Sequence, residues 1–186
     1  MNIIVKPYGS SQCYCRPDTT WERENKDFYS PDSVNEIYWT PILFARVSKA
    51  GKCISKKFAA RYYDAAGFGI LFYCGEVTKD NIAFVSCADH TSLLPFPMYN
   101  TLVSENKDNV YEVTRNGECI WKCNAEGNDM IEDAICSSSA LTSIRIGDMI
   151  AVELSPATLL ASRKDSEVKM KATFCGNILY DMKLIF

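Results

Sequence analysis

Residues 37–47 read IYWTPILFARV, a run rich in β-branched and aromatic side chains, and such a run is a strand. Pro41 sits inside it without an N–H to give a ladder, so the strand is expected to be bulged or at an edge there. A second buried strand is expected at residues 69–77 (GILFYCGEV), after a Lys49-Ala50-Gly51-Lys52 turn. Between them, residues 55–65 (SKKFAARYYDA) suit a short helix with Ser55 as N-cap and Gly67 or Gly69 as its stop. Upstream, residues 17–33 are polar and turn-rich with prolines near both ends, which reads as loop.

The second half is more plainly β. Residues 109–113 and 118–122 flank Arg115-Asn116-Gly117, and Asn-Gly is the strongest short-range hairpin signal. Residues 128–141 suit a helix capped by Asn128 or Asp129, with apolar positions at Met130, Ile131, Ala134 and Ile135. Strands are expected at residues 149–154, 167–174 and 177–185, and EVKMKATF at 167–174 alternates as a half-buried strand does. The fold class is therefore α+β, mostly β, with two short helices. One domain over residues 1–186 is expected, since a chain of this length can bury about 70% of its surface.

Charge removes several function classes. The formal net charge is −3, so no basic surplus exists to displace counterions from a nucleic acid, and an anionic membrane surface offers nothing. No apolar run approaches the length of a membrane span, and MNIIVKPYGSSQCYC lacks the pattern of a secretory signal. A cytoplasmic, reducing setting is expected for the nine cysteines. Cys13 with Cys15, and Cys119 with Cys123, could be metal ligands, but neither pair is a C-x-x-C with a second pair or histidine at zinc-like distance. The alternative is that they are small buried hydrophobes.

The block 31–77, PDSVNEIYWTPILFARVSKAGKCISKKFAARYYDAAGFGILFYCGEV, resembles the core of short bacterial proteins of the fumarylacetoacetate hydrolase family. Cys15-Arg16-Pro17-Asp18-Thr19 is similar to that family's K-P-D-T, and Ile146-Gly147-Asp148-Met149-Ile150 to its K-x-G-D-L-I. The resemblance implies a mixed β-sandwich or roll like the family's C-terminal domain, with residues 1–30 a shortened N-terminal segment. It also implies a homodimer, or pairing with an intact paralogue, and a hard divalent cation held by a Glu-x-Glu on one strand and an aspartate on the next. That cation serves hydrolysis, decarboxylation or isomerisation of small keto or diketo acids.

Carried over position by position, the glutamates fall on Thr40 and Ile42 and the aspartate on Leu71. None of these can hold a dication, so the resemblance implies a lost Mg²⁺ or Ca²⁺ site and no cofactor. No lysine stands in residues 86–90, where the family places one. Trp39, beside Tyr38, is expected to make the emptied pocket apolar, leaving a binding site for a small acidic metabolite. Glu76, Arg61 and Asp64 match polar residues that the family keeps near its site. Tyr62 and Tyr63 are expected to be core or pocket-wall aromatics, and Cys74 has no basic neighbour to activate it. His90, the sole histidine, stands in Asp89-His90-Thr91-Ser92 and is the candidate for any imidazole chemistry; the alternative is a loop histidine. Residues 93–99 (LLPFPMY) are expected to be buried under a loop or against a second subunit, with Phe96, Met98 and Tyr99 at the interface. The implied function is a catalytically inactive binding or oligomerisation module. The rival is an active hydrolase, decarboxylase or isomerase with a rebuilt site.

Overall fold

A computed structural model describes residues 1–100, 103 and 106–186. Its larger sheet is built around two long antiparallel strands, β5 (Glu36–Val47) and β6 (Tyr63–Tyr73). To these are added β1 (Ile3–Lys6), β2 (Tyr14–Arg16), β3 (Trp21–Glu22), β7 (Ser92–Leu93), β10 (Met149–Glu153) and β11 (Thr158–Ser162). The order is β2-β1-β10-β5-β6-β7-β3, with β11 also pairing β5. The smaller sheet runs β4-β13-β12-β8-β9. Its strands are β4 (Phe28–Tyr29), β8 (Val110–Arg115), β9 (Glu118–Asn124), β12 (Glu167–Phe174) and β13 (Asn177–Ile185). Three helices lie among the described residues: α1 (Lys56–Ala59), α2 (Ile82–Val85) and α3 (Asn128–Leu141).

Both faces of β5 and β6 are buried, which is why their sequences are nearly continuous apolar runs. Trp39, Leu43 and Ala45 of β5, with Phe68, Ile70 and Phe72 of β6, face the smaller sheet and α3. Tyr111, Val113, Met170, Phe174 and Tyr180 meet them from that sheet, and Ile131 and Ile135 from the helix. The alternate residues, Ile42 and Phe44 with Leu71 and Tyr73, point the other way and join Ile3, Val5, Met149 and Ala151 in a second cluster. Val85 and Leu94 cover that cluster from outside the sheet.

The hairpin at Asn116-Gly117 forms as its residues require. Both take positive φ, 49° and 87°, and Arg115 pairs with Glu118 across the turn. Residues 128–141 are helical as expected, but the cap position is held by Gly127 at φ 116°, with no side-chain cap. The 167–174 strand buries alternate residues, as its pattern predicts.

Several expectations are corrected. Pro41 is neither at a bulge nor at an edge: its pairing with Ile70 is regular and β5 is central. It lies where the outer side of β5 passes from β10 to β11, so no paired strand carbonyl is left waiting for its missing N–H, and its own carbonyl accepts Leu154 N–H. The 55–65 helix stops after one turn, because Tyr63 is drawn into register with Val47 and both are buried. Ser55 stands at its N-cap without a side-chain bond. Gly67 and Gly69 do not end a helix but lie within β6. The polar segment 17–33 is not wholly loop, since it carries β3 and β4. The cysteines are all free: Cys13, Cys74, Cys123 and Cys136 are partly buried against the core, and the other five are exposed.

Gly69 marks the tightest approach in the sheet. A Cβ there would stand 2.2 Å from the Leu93 carbonyl oxygen of β7, and backbone cannot yield as a side chain can. Gly69→Ala is therefore expected to destabilise the protein by about 2–3 kcal/mol, the upper part of the overpacking range. A urea midpoint indistinguishable from that of the unsubstituted chain would contradict this packing.

Candidate functional site

The register of β5 and β6 brings Thr40, Ile42 and Leu71 together. Thr40 pairs directly with Leu71, and Ile42 lies two residues along on the same face. All three are wholly buried. Trp39 is on the opposite face, in the main core, so it does not line this cluster. Arg61 and Asp64 stand at the far end of β6, near Tyr63, with seven residues of strand between Tyr63 and Leu71. Asp64 holds Arg46 at 3.1 Å on the surface, and Arg61 lies over the Phe58 ring. Glu76 is exposed in the turn after β6, where its carbonyl accepts from Asn81. Tyr63 is core, and Tyr62 is half-buried beneath Lys49.

The face that carries Thr40, Ile42 and Leu71 also carries polar residues that sequence reasoning missed. Arg16, with 1% of its surface exposed, lies over the Tyr73 ring at 4.5 Å. Its guanidinium donates to the carbonyls of Phe72 (3.0 Å) and Thr91 (3.2 Å) and to Ser92 Oγ (3.3 Å). Tyr14 and Tyr73 share a hydroxyl contact of 2.9 Å, and Tyr73 donates onward to Glu153. The second Glu153 oxygen accepts the amide of Tyr8 at 3.0 Å. A buried cation and a buried carboxylate are thus joined through two tyrosines, with most polar atoms satisfied as the low dielectric demands.

Burial pushes Glu153 above the usual carboxylate range, against the opposing pull of Tyr73, the Tyr8 amide and Arg16. Burial likewise, with Arg16 opposing it and Tyr14 and Glu153 adding to it, holds Tyr73 well above a phenol's ordinary range, so it stays a donor. One signal in the sequence pointed here: Glu153 interrupts the apolar strand MIAVE, and a buried charge needs a partner. Nothing in the local sequence of Arg16 announces its burial.

This face does not fit a divalent cation. Ile42 and Leu71 offer no lone pair, and the Thr40 hydroxyl already donates to the Ser155 carbonyl at 2.8 Å. Glu153 is engaged twice over. Among the described residues no group of three His, Cys, Asp or Glu side chains is placed to hold a metal. Cys74 is not a nucleophile, since burial pushes its thiol up to about 11.

His90 is not part of this face. Its Nδ1 meets Glu22 Oε2 at 2.7 Å, while its sequence neighbours Thr91 and Ser92 turn inward to Arg16. Asp89 is exposed beside it. The apolar run 93–99 is divided: Leu93, Leu94 and Pro95 are buried against the chain itself, and Tyr99 packs edge-on to Phe174 at 4.9 Å. Phe96 is exposed and lies beside Trp21 at 5.7 Å.

Comparison by sequence, with protein families and with curated proteins, returns no match. Comparison of folds returns several. A protein of Yersinia pestis CO92 assigned to the fumarylacetoacetate hydrolase family superposes with a TM-score of 0.79 at 14% identity, over 99% of this chain and 92% of that one. The chain has the fumarylacetoacetate hydrolase fold. Fumarylpyruvate hydrolase from Pseudomonas aeruginosa, solved with Mn²⁺ and pyruvate, shares this fold at a TM-score of 0.77 and 10% identity, covering 100% and 88% of the two chains. So does 5-carboxymethyl-2-hydroxymuconate delta-isomerase from Mycobacterium smegmatis, at 0.76 and 13%, covering 99% and 78%. The mixed β architecture expected from the resemblance is present; among the described residues no helix is long and apolar enough to cross a membrane.

Glu153 gives the site a pH signature. Its carboxyl titrates higher when folded than the ordinary 4.5. Between those values the folded chain holds more protons than the unfolded one, so this group's contribution to stability falls as pH rises through the window. Glu153→Gln removes the slope: relative to the unsubstituted protein, the variant is expected to gain stability as pH is raised from 4.5 towards neutrality. Parallel denaturation midpoints for the two proteins across that range would sink the assignment.

Proposed function

We propose that this chain is a divergent member of the fumarylacetoacetate hydrolase family that does not carry out the family's metal-dependent reaction, residues 1–186 acting as one unit. The observation that carries the reading is the burial of Thr40, Ile42 and Leu71 beneath a network made by the chain's own Arg16, Tyr73 and Glu153. A substrate approaching this face meets neither an accessible ligand position nor a metal cradle. The reading assigns the chain no cofactor, and a role as a small-ligand-binding or oligomerisation module in the cytoplasm. Its net charge of −3 sets aside nucleic acids and anionic membranes as partners. The second reading, an enzyme with a rebuilt site, is favoured by one contact, the Glu22–His90 pair.

Titration calorimetry with Mn²⁺ on chelator-free protein separates the family's reaction from this reading. No saturable heat is expected, and no turnover of fumarylpyruvate with or without the ion. A micromolar site that Thr40→Val abolishes, or metal-dependent turnover, would reverse the conclusion.

The module is proposed to be a homodimer, or to pair with an intact paralogue. Closed two-fold pairs are the commonest soluble assemblies, and Phe96, Met98 and Trp21 form a partly open apolar patch. Light scattering at micromolar concentration is expected to give twice the chain mass of 20.9 kDa, and Phe96→Asp is expected to return it to one. A monomer in the unsubstituted protein rejects the homodimer.

A further inference from the structure

Away from the closed face, an open groove of about 650 Å³ is lined by residues from two segments, Lys26–Pro31 and Ala88–His90, together with Glu22. Glu22 is 5% exposed while His90 is 61% exposed, so the acid is fixed inside and the imidazole is presented outward. A carboxylate only accepts hydrogen bonds, so the Nδ1 that meets Glu22 carries the ring proton and Nε2 is left as an acceptor. The other Glu22 oxygen takes the amides of Glu24 at 2.6 Å and Lys26 at 3.5 Å. His90 is held from its own side: its amide donates to Thr19 O at 3.3 Å, and its backbone sits at φ 61°, a conformation side chains other than glycine seldom take. A ring nitrogen oriented by a buried acid is the arrangement of a general base.

We propose that this groove is a proton-transfer site in which His90 Nε2 takes the proton of a small molecule's hydroxyl. The O–H bond breaks, the Nε2–H bond forms, the electron pair stays on the ligand oxygen, and Glu22 balances the imidazolium. Tyr29, 71% exposed, and Pro31 supply an apolar wall for the body of such a molecule. Lys26 lines the same groove, sharing its ammonium with Glu24 at 2.6 Å, and is the cation available to the oxygen left behind. Asp27 and Asp89 in the same wall repel a second negative charge, so the ligand is a hydroxyl compound that arrives uncharged and becomes a monoanion on proton transfer. The inference does not rest on whether the closed face takes a metal, and survives or fails whatever the Mn²⁺ titration gives.

The probe is 4-nitrophenol, added to the full chain just below the pH at which the probe itself ionises. A saturable rise in nitrophenolate absorbance is expected. The Cε1 proton resonance of His90, the protein's one histidine, is expected to move with the same midpoint. His90→Gln should abolish the saturable anion signal and Glu22→Gln should weaken it, while Tyr29→Ala weakens binding and leaves the anion fraction at saturation unchanged. Absorbance that does not saturate overturns the proposal, as does a full response in His90→Gln. The substitution at exposed His90 is decisive even if the Glu22 variant fails to fold.

Discussion

Burial of both faces of β5 and β6 is the constraint on which the rest of the structure depends. A sheet covered on one side alone could send every second residue to water, and these strands cannot, because alternate residues on both sides are apolar. One face finds the smaller sheet and α3. The other has no second sheet to meet, so short segments from elsewhere in the chain must cover it: β1 and β2 beside it, α2 and Leu94 across it. The ladder between β6 and β7 pairs only Ile70 with Leu93 and Leu71 with Ser92, so the Phe72 carbonyl beyond it looks for another donor, and a buried carbonyl needs one. Arg16 supplies two of its donors there, from one planar group whose fork matches several acceptors at once. The buried charge is thus a consequence of how the face is covered.

That consequence bears on chemistry. An isolated buried guanidinium would be prohibitively costly, and breaking one member of such a group leaves another unpaired. Here hydroxyls and carbonyls surround the cation, and Glu153 answers it through Tyr73. A metal ion arriving on this face would add a second positive charge beside Arg16, with Glu153 already committed. Electrostatics and ligand count therefore act in the same direction.

Much of the scaffold was legible because its signals are local. Apolar composition located β5 and the second half of β6, whose strand begins at Tyr63 and ends at Tyr73 in place of the expected 69–77; periodicity located β12 and α3, and Asn116-Gly117 the β8–β9 turn. The misses share a cause: β1, β2, β3, β4, β7 and β11 are short, and their pairing is decided by distant strands, not by their own sequence. Residues 61–65 kept helical spacing, but Tyr63 had a buried partner in Val47 and tertiary pairing prevailed over propensity. For the site, matching strands by resemblance put Thr40, Ile42 and Leu71 on one face, where register places them. It failed for Trp39, Arg61 and Glu76, because nearness in sequence to a strand position says nothing about which face, or which end, a neighbour occupies. Arg16 and Glu153, separated by most of the chain, meet only because β1 lies parallel to β10 and carries β2 beside it.

The closed face and the open groove are not separate regions of the molecule. Both hang on the two-residue parallel pair of β3 with β7, in which Trp21 lies opposite Ser92 and Glu22 opposite Leu93. On one side of this pair Thr20 Oγ1 and Ser92 Oγ meet at 2.9 Å and Ser92 accepts from Arg16; at its other end Glu22 holds His90. Two residues of ladder are a small amount of pairing, so the pair persists because Thr20, Ser92 and Glu22 are all buried and bonded. Covering the face and setting Glu22 beside His90 thus rest on the same short ladder, while the Arg16 bonds themselves stop at Thr91 and Ser92.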